Sequence, residues 1–118
     1  MRNLTATLCL TLAVLLGRAG RSVSQDYQVG LDAYNRGDFA TALREWTLAA
    51  EQGHAFAQSN LGLMYHKGQG VLQNYVYAHM WGNIAASNGS ENGGKLRDRV
   101  AKEMTSAEIV EAEKLARE

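Results

Sequence analysis

The chain has no proline in its 118 residues and a single cysteine, Cys9. Without proline, glycine is the remaining strong helix breaker, and there are 12 of them. One cysteine cannot form an intrachain disulfide and leaves no thiolate cluster for a structural zinc site. Basic and acidic residues balance at 12 each, so the chain lacks the surplus of lysine and arginine that phosphate binding requires. No segment sustains apolar–polar alternation with β-branched enrichment, which argues against a sheet. The apolar run Leu4–Leu16 falls short of the roughly 20 residues that span a bilayer.

What the chain does have is a repeat. Ala42–Gly53 (ALREWTLAAEQG) and Ala78–Gly89 (AHMWGNIAASNG) align at an offset of 36 residues. Ala42 falls on Ala78, Ala49 on Ala85, Ala50 on Ala86 and Gly53 on Gly89; Asp38 meets Asn74 and Phe39 meets Tyr75. Between them stands LGLMYHKGQGV, Leu61–Val71. Its Leu61 and Tyr65 share a helix face, Gly62 permits close approach by another helix, and Gly68 and Gly70 end the helix. Similarity at one period in the middle thirties, with two helices per unit, predicts an all-α solenoid built from about three antiparallel helix pairs.

The N-terminus reads as a leader. Arg2 precedes the run Leu4–Leu16, and small residues follow. Ser22-Val23-Ser24 offers small side chains at the first and third positions before a cut, so residues 1–24 are expected to be a signal peptide cleaved after Ser24 or a few residues earlier. That predicts export to the periplasm or medium and no membrane association after cleavage. Arg2, Arg18 and Arg21 leave with the leader; 12 basic residues less these three leaves 9 against 12 acidic, a net charge of −3.

The remaining chain divides into 25–53, 54–89 and 90–118. In the first unit Val29, Ala33 and Tyr34 point inward by spacing, and Asp38 is a predicted N-cap for a helix burying Leu43, Trp46 and Ala50. In the last unit Asn92-Gly93-Gly94 is expected to weaken the helix start, since each interior glycine costs about 1 kcal/mol. Leu96, Val100 and Met104 make an apolar stripe, and Thr105 with Glu108 is a capping box before a terminal helix with a polar outer face.

The motif A-A-x-x-G, A-Q-x-x-L-G-x-M-Y, G-x-G-V, running from Ala49 to Gly89, resembles the Sel-one-like repeat, a relative of the tetratricopeptide repeat. The resemblance implies a right-handed superhelix that scaffolds protein–protein contacts, in a family with many exported bacterial members. Leu72 stands where the family usually has proline. Gly82 replaces a common aromatic, at an expected loss of about 1–3 kcal/mol of ring burial. The third unit lacks the L-G-x-M-Y core.

By the tetratricopeptide pattern the first helix of each pair lines a concave groove. That places Asp32, Asn35, Arg36, Ser59, Leu63, His66 and Lys67 in it, with Gln28 beside them. Lys95, Arg99 and Lys102 recur at four and three and add a basic stripe suited to a peptide carboxylate. A protein or peptide partner is therefore predicted, and self-association by stacking is open to a chain with fewer than three full repeats. His54, His66 and His79 are too irregularly spaced for a metal, so neither metal nor cofactor is expected. No Ser-x-x-Lys motif or nucleophile–base pairing supports catalysis; the alternative admitted by the resemblance is a cell-wall hydrolase such as a β-lactamase-like enzyme.

Overall fold

The computed structural model describes residues 20–118, and most of the leader assigned to 1–24 lies outside that range. Six helices occur among the described residues: α1 Val23–Asn35, α2 Phe39–Glu51, α3 Ala55–Lys67, α4 Tyr75–Ser87, α5 Glu91–Ala101 and α6 Ser106–Arg117. No strand is present among them, and none of these helices is long and apolar enough to cross a membrane. Each helix packs on its successor through α5, α6 returns onto α4, and α3 also packs on α5. This is the solenoid arrangement that the 36-residue period predicts.

The repeat holds at the level of single hydrogen bonds. Asp38 and Asn74 are the N-caps of α2 and α4; their side chains accept from the Thr41 and Tyr77 amides at 3.2 and 3.0 Å. Gln52 and Asn88 end those helices. Gly53 and Gly89 follow at φ of 90° and 95°, a region where a Cβ is strained. His54 and Ser90 then cap α3 and α5, each accepting through its side chain from an amide three residues on. The helix ends, where backbone groups lack intrahelical partners, are thus satisfied in the same way in successive units.

Packing is close because the buried side chains are small. Ala33, Ala42, Ala49, Ala57, Ala78, Ala85 and Ala112 are fully buried, while Leu61, Met64 and Val100 are the large side chains at full burial. Trp46 lies in the core and lays its ring on Gly30, where a Cβ would come within 2.4 Å of the ring Cδ1. Its indole Nε1 donates to the Tyr27 carbonyl at 3.0 Å. Gln58, also buried, donates to the Ala50 carbonyl and accepts from the Asn88 amide, joining the ends of α2 and α4.

Helix α1 begins at Val23, with Ser22 as N-cap in a capping box with Gln25; of the expected cuts, one after Ser24 falls inside this helix and one a few residues earlier does not. Several other expectations are corrected. Val29 faces solvent, and Gly30 takes the inward position because Trp46 fills the space above it. Leu43 is only partly buried at the edge of the core. Gly82 is no lost aromatic: a Cβ there would lie 2.8 Å from the Gly93 carbonyl oxygen, and one at Gly93 would lie 2.5 Å from the Ala85 Cβ. Backbone of α5 occupies the space a ring would need. Gly93 therefore belongs to the packing seam between α4 and α5, whose start Ser90 caps.

Three expected outcomes follow from this packing. Leu61 is 1% exposed; Leu61→Ala should cost about 2–5 kcal/mol, enough to unfold much of a small domain, as read by urea denaturation followed by circular dichroism. Gly82→Ala should destabilise by about 1–3 kcal/mol although alanine is the better helix former, because the backbone it meets cannot move aside. Gly94→Ala, whose nearest neighbours would be 3.7 Å away, should instead stabilise by up to about 1 kcal/mol; equal melting of the two variants would contradict the seam. Finally, His79 is buried with its Nδ1 unpartnered. Burial pulls its pKa below the ordinary 6.5; Glu113 pulls upward, Arg97 downward and Asp98 upward. The unfolded chain then takes the proton first, so stability is retained above the ordinary 6.5, falls as pH drops from there to the lowered native pKa, and levels off below it. Melting temperature should decline from about pH 6.5 downward, and His79→Gln should flatten the decline.

Candidate partner-binding groove

Helices α3 and α5 are the first members of consecutive pairs, and they pack side by side because α4 holds both. Their solvent-facing edges enclose an open groove of about 220 Å³. Ser59, Asn60 and Leu63 line it from α3; Asn92, Lys95, Leu96 and Arg99 line it from α5. The α5 residues recur at three, four and seven, one face of a helix.

The floor is fixed. Ser59 is buried, against the expectation that it would be exposed, and its hydroxyl shares a hydrogen bond with that of Ser90 at 2.5 Å. Ser90 in turn accepts from the Gly93 amide at 3.2 Å, so the same hydroxyl caps α5 and ties it to α3. Leu96 is buried alongside and supplies an apolar wall. The rim is cationic. Lys95 pairs with Glu91 at 3.2 Å, both side chains largely exposed; an exposed pair of this kind is easily exchanged for another anion. Arg99 makes no ion pair among the described residues. Two cations beside the Asn60 and Asn92 amides can take a carboxylate by charge-assisted hydrogen bonds.

Of the residues singled out by sequence, Ser59, Leu63, Lys95 and Arg99 come together here. The others do not. Asp32 and Asn35 lie exposed near the end of α1, with Arg36 as its C-cap, and Asp32 accepts from Gln28 at 3.0 Å. Lys67 is exposed at the end of α3, and Lys102 is the exposed C-cap of α5 beyond the groove. His66 is half-buried against Tyr75, with ring centres 5.7 Å apart, and its Nε2 is 3.8 Å from Glu103. Glu103 also sits by the Tyr75 hydroxyl; that hydrogen bond, then burial and the carboxylate charge, raises the tyrosine pKa. His66 thus packs between helices.

Asn60 and Asn92 line the groove but are not among the residues that the sequence singles out. The three-, four- and seven-residue spacing of Asn92 with Lys95, Leu96 and Arg99 was the available signal; the glycines beside Asn92 obscured it. No group of three histidine, cysteine or acidic side chains suited to a metal occurs among the described residues.

Comparison with known proteins agrees with this architecture. The Sel1 repeat family model matches residues 12–54 and 55–90. The chain superimposes on the crystal structure of c5321, a protective antigen present in uropathogenic Escherichia coli strains displaying an SLR fold, with a TM-score of 0.77 and 31% identity. That match covers 83% of this chain and 22% of the antigen. The uncharacterized protein NMB1327 of Neisseria meningitidis serogroup B is 56% identical over 34 residues, 29% of this chain and 7% of that protein. The chain therefore spans less than a quarter of the length of either relative. It belongs to the Sel1 repeat family.

Proposed function

We propose that the chain is an exported, non-catalytic binding module whose α3–α5 groove seats an acidic peptide segment or a C-terminal carboxylate of a protein partner. The observation that carries this reading is the convergence of Lys95, Arg99, Asn60 and Asn92 on one open groove with a rigid floor. Peptide sites on helical scaffolds commonly combine an apolar wall with a few fixed polar groups. Leu63 and Leu96 provide the first, and the amides and cations the second. After removal of a leader the chain is net acidic, so the groove is a local positive field that steers an anionic ligand. A serine-hydrolase role for Ser59 would need a base beside it, and its hydroxyl is instead shared with Ser90 in the floor.

Binding is measured with a panel of short acidic peptides carrying free or amidated C-termini, by fluorescence anisotropy at two salt concentrations. The free-carboxylate peptides should bind, with affinity falling as salt rises. Lys95→Gln with Arg99→Gln should weaken binding about tenfold or more and flatten the salt dependence, as expected for lost hydrogen bonds to a charged group. Lys102→Gln, beyond the groove, should change little. Equal affinity of the groove double variant and the parent would remove the groove as the site.

A further inference from the structure

The start of the fold bears on where a leader can end. Glu45 is buried on α2 beside Trp46, at 4% exposure. A carboxylate out of water needs a partner, because its desolvation is otherwise uncompensated. The partner is Arg21, whose Nη2 lies 3.1 Å from the Glu45 Oε2 and 3.1 Å from the Asp26 Oδ1. Arg44 approaches only to 3.8 Å from the other oxygen, with a largely exposed side chain. Arg21 is thus the closer of the two counterions, and it arrives from outside any helix.

The next residues are equally committed. Ser22 accepts from the Gln25 amide and Gln25 returns a bond to the Ser22 amide, at 3.1 and 2.7 Å. Val23 packs against the core. A cut after Ser24 would remove the counterion, the cap and this contact together. It would also leave a new ammonium near the positive end of the α1 dipole, an unfavourable place for it. Upstream the situation reverses. Gly20 is exposed, and a Cβ there would meet nothing within 4 Å. In the sequence, Gly17-Arg18-Ala19 places small residues at the third and first positions before the Ala19–Gly20 bond, shortly after the run Leu4–Leu16, which is the pattern leader-removing endopeptidases require.

We propose that the leader is removed by hydrolysis of the Ala19–Gly20 peptide bond, so that the mature chain begins at Gly20 and keeps Arg21 for Glu45. Water adds its hydroxyl to the Ala19 carbonyl carbon, the C–N bond breaks, and the Gly20 nitrogen leaves as an amine and takes up protons to become an ammonium. The inference rests on the exported reading above. It makes Arg21 part of the mature protein, whose charge is then 10 basic against 12 acidic residues once Arg2 and Arg18 are gone.

The full 118-residue chain is produced in a Gram-negative host, and the exported product is identified by intact mass and N-terminal sequencing. A product beginning at Gly20 is expected; Ala19→Leu should abolish that product, and Ser24→Leu should leave it unchanged. An exported product beginning at Gln25, or at any residue other than Gly20, overturns the assigned bond while export stands. An uncleaved chain retained in the cytosol overturns the exported reading itself. As a second readout on the exported protein, Arg21→Gln should lower the melting temperature by at least about 5 °C, and adding Glu45→Gln should recover part of it, because neutralising both partners removes the unpaired buried charge. Unchanged melting of Arg21→Gln would show that the fold has no need of Arg21.

Discussion

Helix-to-helix distance is the constraint on which this fold depends, and side chains of one methyl or none set it. Among the described residues, eight of the thirteen buried apolar residues are alanines, so the core gains its cohesion from close contact along helix seams rather than from bulky side chains. Dispersion contacts fall off steeply with a small gap, and such seams tolerate added volume poorly. The two kinds of seam are complementary. Between α1 and α2 a large ring, Trp46, closes over a glycine; between α4 and α5 two glycines, Gly82 and Gly93, bring the backbones together. The position 36 residues after Trp46 is Gly82, so one repeat carries bulk where the next carries none. The difference compensates for the neighbour each helix meets.

Tight turns between short helices leave many backbone groups to satisfy, and the chain does so with side chains at fixed places in the period. Asp38 and Asn74 start the second helix of a pair, and His54 and Ser90 start the first helix of the next. Gln58 bridges the end of α2 to the end of α4, so the ends of neighbouring pairs are tied by one buried amide. Burial of polar groups is thus accompanied by hydrogen bonding, as it must be in a core this small. Glu45 follows the same rule with a charge, and its partner comes from before α1.

The groove inherits its position from these seams. Because Gly82 and Gly93 hold α5 against α4, α5 also lies beside α3, and the Ser59–Ser90 bond fixes that contact at its base. Lys95 and Arg99 then stand on one edge and Asn60 and Leu63 on the other. A surface of this kind requires two successive units; neither α3 nor α5 alone would form it.

Much of this was readable from residues close together in the chain. Helix positions, the breaks at Gly53, Gly68 and Gly89, and the caps at Asp38 and Thr105 follow from rules that act within one turn. The repeat follows from comparing such stretches at one offset. Half of the groove could also be named: Leu63 from the resemblance to the tetratricopeptide pattern, and Lys95 with Arg99 from the face of a helix that carries charge. The remainder was settled by pairs far apart in sequence: Trp46 over Gly30, Gly82 against Gly93, Ser59 with Ser90, and Arg21 with Glu45. Local spacing marks Gly93 as a weak helix residue and Ser59 as a surface hydroxyl. Only the approach of a second helix makes the one a packing site and the other a buried bond, since the space and the partner that define their roles lie on another element.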